Sequence, residues 1–127
     1  MGTRKEQNKM TCTFEKLEEA FFIKLDALGK SQKVVLSELK SIILTDVKPS
    51  VIIDLSSASI KEEELTFVSE LTSIVTEYKG IVVVIGVKSP SQYEFGSAVC
   101  LPTFHEAKEA IFMNDLENQF LNEMGDA

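Results

Sequence analysis

The residues best equipped for chemistry gather in one stretch, DLSSASIKEEEL: Asp54, the hydroxyls of Ser56, Ser57 and Ser59, the ammonium of Lys61, and the consecutive carboxylates Glu62, Glu63 and Glu64. A pair of carboxylates facing one substrate can act as acid and base. Neighbours at i, i+1 and i+2 on a helix point in different directions, so this run does not make such a pair. A serine nucleophile needs an adjacent base. The single imidazole, His105, falls at a predicted helix start, where solvation is the expected state. A helix N-terminus attracts phosphate with about half a positive charge. Three negative charges at the same end overwhelm it, so nucleotide binding is not expected there. The six glycines are scattered and form no phosphate loop. Cys12 and Cys100 are far apart, without C-x-x-C spacing. No metal or other cofactor is expected, and both thiols read as small buried hydrophobes in a reducing compartment.

A structural account of the same residues is available. Ser59 and Glu62 match the capping-box pattern S-x-x-E, in which each side chain bonds the other's amide. Glu63 and Glu64 then occupy the first turn, where the helix dipole favours negative charge by about 0.3–1 kcal/mol each. Thr103 and Glu106 repeat the pattern before the last helix. Ser56, Ser57 and Ser59 also suit turns and caps.

These residues have to be positioned by about one domain's worth of chain, 127 residues. Residues 1–10 are expected to be a flexible leader and 11–127 the domain, with 113–127 a C-terminal helical extension. The net charge of −7 disfavours nucleic acid and anionic membrane surfaces as partners. A membrane-spanning helix needs roughly 20 apolar residues, and no apolar run here approaches that. The first ten residues lack the apolar middle of a secretory signal, and Glu6 stands where myristoylation wants Ser or Thr. A cytoplasmic location is expected.

Along the chain, Thr11–Glu18 reads as an edge strand with Cys12, Phe14 and Lys16 on one face. A turn at Glu18-Glu19 leads to a more buried strand with Phe22, Ile23 and Leu25. Ser31 can cap a helix to about Thr45 with a stripe of Val35, Leu39, Ile42 and Ile43. SVIIDL is a continuous apolar strand, the kind covered on both faces. A second helix is predicted from about Lys61 to Lys79, with Leu65, Val68, Leu71 or Thr72, Val75 and Tyr78 inward and Gly80 as its stop. Ile81–Val87 is the other buried strand. Lys88–Ser97 is a loop, and Ala98–Pro102 a short edge strand. The last helix starts at Thr103; a second start signal, Asn114 with Glu117, predicts a kink or two helices meeting near Asn114. Two β-α-β crossovers imply parallel strands with right-handed connections. The expected fold class is α/β, with a mixed, mostly parallel sheet of about five strands and three to five helices.

The order and spacing of AFFIKLDALGKS, VIIDLSSASI, IVVVIGV and PTFHEAKEAI resemble the STAS family, which includes anti-sigma-factor antagonists and a domain of sulfate transporters. The resemblance covers about residues 11–113. It implies a non-enzymatic bacterial regulator of transcription that acts by protein–protein interaction and partner switching. In phospho-regulated members a D-S-S-G-L-like turn carries a serine phosphorylated by a partner kinase. Here the turn reads KEEEL, so Glu62 or Glu63 takes the phosphoacceptor position, depending on a one-residue gap. A phosphoserine carries about −1.5 to −2 charges and a carboxylate one. A permanent carboxylate either fixes the released state or marks a different partner.

The expected function is a protein-binding module docking an anti-sigma kinase-like protein through Asp54, Ser56, Ser57, Ser59, Lys61, Glu62, Glu63, Glu64, Lys88 and Ser89. These loops lie at the carboxyl end of the parallel strands, where such folds keep their sites. The alternatives are an accessory subunit of a membrane transport complex, with Phe112, Phe120 and Leu121 as a candidate apolar patch, and a small-ligand sensor with a pocket near Asp54. A homodimer is compatible with each.

Overall fold

The structure is a computed structural model; it describes residues 11–18, 20–27, 32–43, 45, 49–56, 60–89, 92–93 and 95–125. Strands β1 (Thr11–Lys16) and β2 (Phe21–Ala27) are followed by helix α1 (Gln32–Ile43), strand β3 (Val51–Asp54), helix α2 (Glu62–Glu77), strands β4 (Val82–Ile85) and β5 (Val99–Cys100), and helix α3 (Phe104–Gly125). The five strands lie in sequence order in one sheet. β1 and β2 are antiparallel, and the remaining neighbours are parallel. The mixed, mostly parallel α/β sheet expected from the sequence is the one observed.

The central strands are short and apolar because both their faces are covered. Val51, Ile53, Val82 and Val84 join Phe21, Ile23 and Leu25 in a core with Val35, Leu39 and Ile43 of α1 and Phe67, Val68, Leu71 and Val75 of α2. On the opposite face Ile52, Val83 and Ile85 meet Ala107 and Ile111 of α3. Phe22 meets Phe104 edge to face at 5.5 Å, which fixes the first turn of α3 on that side. The buried polar groups are satisfied in place. Ser50 Oγ accepts the Ile81 amide at 3.0 Å, and Thr72 Oγ1 donates to the Val68 carbonyl at 2.6 Å.

Three details differ from the sequence expectation. Ile42 and Tyr78 are exposed, while Phe67, outside the predicted stripe, is fully buried. Of the two expectations for the last helix, two helices meeting near Asn114 are not observed: α3 runs unbroken through it. Asn114 and Asn118 instead donate to the Lys79 carbonyl, at 3.1 and 2.7 Å. Because the helix continues past Asn114, there is no helix start there to cap, and the side-chain NH2 groups tie α3 to the end of α2. The third detail is the end of α2. Lys79, not Gly80, takes the left-handed conformation, with φ of 69°. The Gly80 amide bonds the Val75 carbonyl at 3.1 Å and the Lys79 amide the Thr76 carbonyl at 3.0 Å, the Schellman pattern. Gly80 is required for space: a Cβ there would lie 2.8 Å from Val75 Cγ1 and 3.0 Å from the Ser50 nitrogen. The Ser31 cap and the leader lie outside the described residues.

A lysine in that conformation carries a steric cost that glycine lacks. Lys79→Gly is therefore expected to stabilise the fold by about 0.5–1 kcal/mol. Asn118→Ala, which removes a bond to the same carbonyl, is expected to destabilise it by about 0.5–1.5 kcal/mol. Urea denaturation of the two variants checks both signs.

Candidate functional site

The carboxyl end of β3 is shaped by Asp54. Its Oδ1 accepts the Ser56 amide at 2.9 Å, an Asx turn that bends the chain off the sheet. The Leu55 amide bonds the Ile85 carbonyl at 3.0 Å, so β3 stays beside β4 one residue further. Gly86 completes the arrangement. Its φ is +82°, and a Cβ on it would lie 2.8 Å from Asp54 Oδ1 and from the Ser56 nitrogen. The tip of β4 can approach the turn this closely only without a side chain. Ser56, Lys88 and Ser89, with Leu55, Ile60, Gly86, Val87, Gln92 and Tyr93, line an open cavity of about 490 Å³.

Helix α2 starts beside it. Lys61 is the N-cap residue and Glu62 the first helical residue. Glu62 is therefore not in the third helical position that a box with Ser59 requires. That role belongs to Glu64, whose carboxylate accepts the Lys61 amide at 2.9 Å. Lysine has no acceptor with which to return the favour, so only half of the box exists. Glu64 is 2% exposed, whereas Lys61, Glu62 and Glu63 are exposed. The glutamates thus divide: one turns inward and holds the helix end, and two face solvent with the helix dipole behind them. Ser57 and Ser59 lie outside the described residues. Near Thr103 the expected device is present in altered form: its hydroxyl accepts the Glu106 amide at 3.1 Å and donates to Glu106 Oε1 at 3.1 Å.

A second groove, about 480 Å³, runs from Ile60, Lys61 and Glu62 to Leu65, Thr66, Ser69 and Glu70. Ile60 lines both cavities. Sequence reasoning passed over Thr66, Ser69, Glu70 and Tyr93; Ile60, Leu65 and Gln92 belong to the stretches Asp54–Leu65 and Lys88–Gln92 that it points to. The helical positions among them recur at spacings of three and four from Glu62; following that period through polar residues as well as apolar ones would have found them.

Other reactive groups stand apart. The His105 side chain is 81% exposed and pairs with Glu109 at 3.2 Å. Cys100 lies half-buried in the edge strand β5, not in the core, and burial raises the pKa of its thiol. Among the described residues no group of His, Cys, Asp and Glu side chains could hold a metal ion. No helix there is long and apolar enough to cross a membrane.

No family model and no curated protein matches the sequence. Solved structures do. The anti-sigma factor antagonist SpoIIAA in its unphosphorylated form matches with a TM-score of 0.64 at 12% identity, over 78% of this chain and 94% of that one. A serine-to-glutamate variant of RsbS from Moorella thermoacetica gives 0.65 at 13% identity, over 78% and 92%. The murine anion transporter Slc26a9 gives 0.60 at 10% identity, over 78% of this chain but 18% of the transporter. The chain has the STAS fold shared by anti-sigma factor antagonists.

Two outcomes are expected from this geometry. Glu64→Ala removes a charged acceptor from the half-buried bond to the Lys61 amide and should cost about 1.5–3 kcal/mol, whereas Glu62→Ala should cost about 0.3–1 kcal/mol, the dipole contribution alone; chemical denaturation distinguishes them. Alkylation proceeds through the thiolate, and a raised pKa lowers its fraction at a given pH. Iodoacetamide labelling of Cys100, followed by peptide mass spectrometry, should rise with pH around a midpoint above the ordinary thiol value of about 8.5.

Proposed function

We propose that the protein is a non-enzymatic, partner-binding regulatory module of the anti-sigma factor antagonist type. Its docking surface is the carboxyl end of β3 and β4 with the first two turns of α2. Asp54 shapes the surface; Ser56, Lys61, Glu62, Glu63, Lys88 and Ser89 present it; and Ser57 and Ser59 stand between Ser56 and Lys61 in the sequence. The observation that carries the reading is the pair of exposed carboxylates, Glu62 and Glu63, at the start of α2 in this fold. One of the two, Glu62 or Glu63, is a fixed charge where the STAS resemblance implies a phosphorylatable hydroxyl. A serine switches between neutral and about −1.5 to −2; glutamate stays at one negative charge. The docking face is therefore constitutive, and its partner is an anti-sigma kinase-like protein that accepts a fixed negative charge, unlike a kinase that a phosphoserine would release, acting in bacterial transcription regulation in the cytoplasm. Glu64 contributes indirectly, by holding the helix end on which the other two stand.

A second reading has its own support. Phe112, Phe120 and Leu121 are all exposed on α3, and the structural match to Slc26a9 places a domain of this fold in an anion transporter. An accessory role in a transport complex would use that helix and leave the α2 end free.

The double charge reversal Glu62→Lys/Glu63→Lys tests the first reading. In calorimetric titration against an anti-sigma kinase, with ADP or with ATP, it is expected to weaken the complex by at least about tenfold, the scale for truncating interface charges. Equal affinity of the two proteins, or no complex with either nucleotide, removes the α2 end from the interface.

A further inference from the structure

Helix α3 is apolar on two opposite sides. One side holds the sheet: Ala107 and Ile111 are buried, and Asn114 and Asn118 bond to Lys79. At about 100° per residue, Phe112, Leu116 and Phe120 recur every fourth residue on the other side, with Met113 next to them. They are 49%, 44%, 60% and 63% exposed in the order Phe112, Leu116, Phe120, Met113. Together they present on the order of 400 Å² of apolar surface, the size of the largest patches on monomers, which are often functional. A helix needs one apolar stripe to pack on a sheet, so the second stripe has no role in the fold described above.

The charges beside the stripe select its occupant. Glu106, Glu109 and Glu117 lie along it, all exposed. Lys108 lies toward the other flank, 5.5 Å over the Phe104 ring. A second copy of the chain would bring the same carboxylates against these, within a total charge of −7 each. An anionic lipid surface is repelled in the same way. A helix with its own apolar stripe between lysines and arginines meets both demands. We propose that the outer side of α3 docks a basic amphipathic helix of another protein, its apolar side chains packing on Phe112, Met113, Leu116 and Phe120 and its cations facing Glu106, Glu109 and Glu117. α3 covers the sheet face opposite α1 and α2. This surface therefore does not depend on the reading of the α2 end and can be occupied together with it.

The test uses the whole chain and two labelled peptides of about 18 residues, long enough to form a helix. One is patterned with leucine on one side and lysine on the other; the second has glutamate in place of each lysine. In fluorescence anisotropy titrations the lysine peptide is expected to bind saturably, one per chain, and the glutamate peptide at least about tenfold more weakly. Phe112→Ser/Phe120→Ser should weaken the lysine peptide at least about tenfold. Glu109→Lys/Glu117→Lys, which leaves the apolar residues in place, should weaken it at least about fivefold. Glu62→Lys/Glu63→Lys should leave it within about twofold, because those charges are on the other side of the sheet. The proposal is overturned by no binding, by equal binding to the unaltered and stripe variants, or by light scattering that shows a dimer dissolved by Phe112→Ser/Phe120→Ser.

Discussion

Strands β3 and β4 have no face open to water. Val51, Ile52, Ile53, Val82, Val83 and Val84 are all at most 1% exposed. Their peptide groups must bond to neighbouring strands, and the pairing is parallel. Parallel neighbours cannot be joined by a tight turn; the chain crosses from β2 to β3 through α1 and from β3 to β4 through α2. The helices that make these crossings also exclude water from the sheet. One constraint thus fixes both the layers and the address of the site. The chain leaves β3 and β4 at the same end, and the Asp54 turn, Gly86 and the start of α2 converge there.

At that end the three glutamates have separate physical roles although they are adjacent in sequence. A helix turn directs Glu62, Glu63 and Glu64 to different environments. Glu64 faces inward and accepts the Lys61 amide, satisfying one of the donors that a helix start leaves unpaired. Its burial is tolerable because the carboxylate is hydrogen-bonded. With that donor answered from within the chain, Glu62 and Glu63 have no capping duty. Their charges are stabilised by the dipole and stay in water, where a partner can reach them. The inward residue is what allows the outward ones to be a surface.

Much of this was legible in the sequence where periodicity decides. The unbroken apolar runs at Val51–Ile53 and Ile81–Ile85 announced covered strands, and the D-L-S and P-T-x-x-E-A pieces pointed to the STAS fold. What escaped was decided by single contacts. Ser59-x-x-Glu62 and Lys61-x-x-Glu64 are offset by only two residues, and the burial of Glu64 selects between them. The start signal at Asn114 was chemically sound, but the helix runs straight past it, and its side-chain NH2 donates to the carbonyl of Lys79, thirty-five residues away. Gly80 looked like a helix stop; the left-handed residue is Lys79, because Gly80 is needed where Val75 and Ser50 leave no room for a Cβ. Patterns locate elements, while competition between nearby candidates for one hydrogen bond is settled by three-dimensional packing.

The sheet also separates two surfaces of unlike character. The end of α2 is polar and charged over a small apolar centre at Ile60 and Leu65, so contacts there depend on screened charges and on geometry set by the Asp54 turn. The outer side of α3 is apolar with an acidic border, so contacts there depend on area removed from water. The excess of carboxylates is common to both and favours cationic partners at each. Yet a change in salt weakens the first surface more than the second, because only the second retains a contribution that ions do not screen.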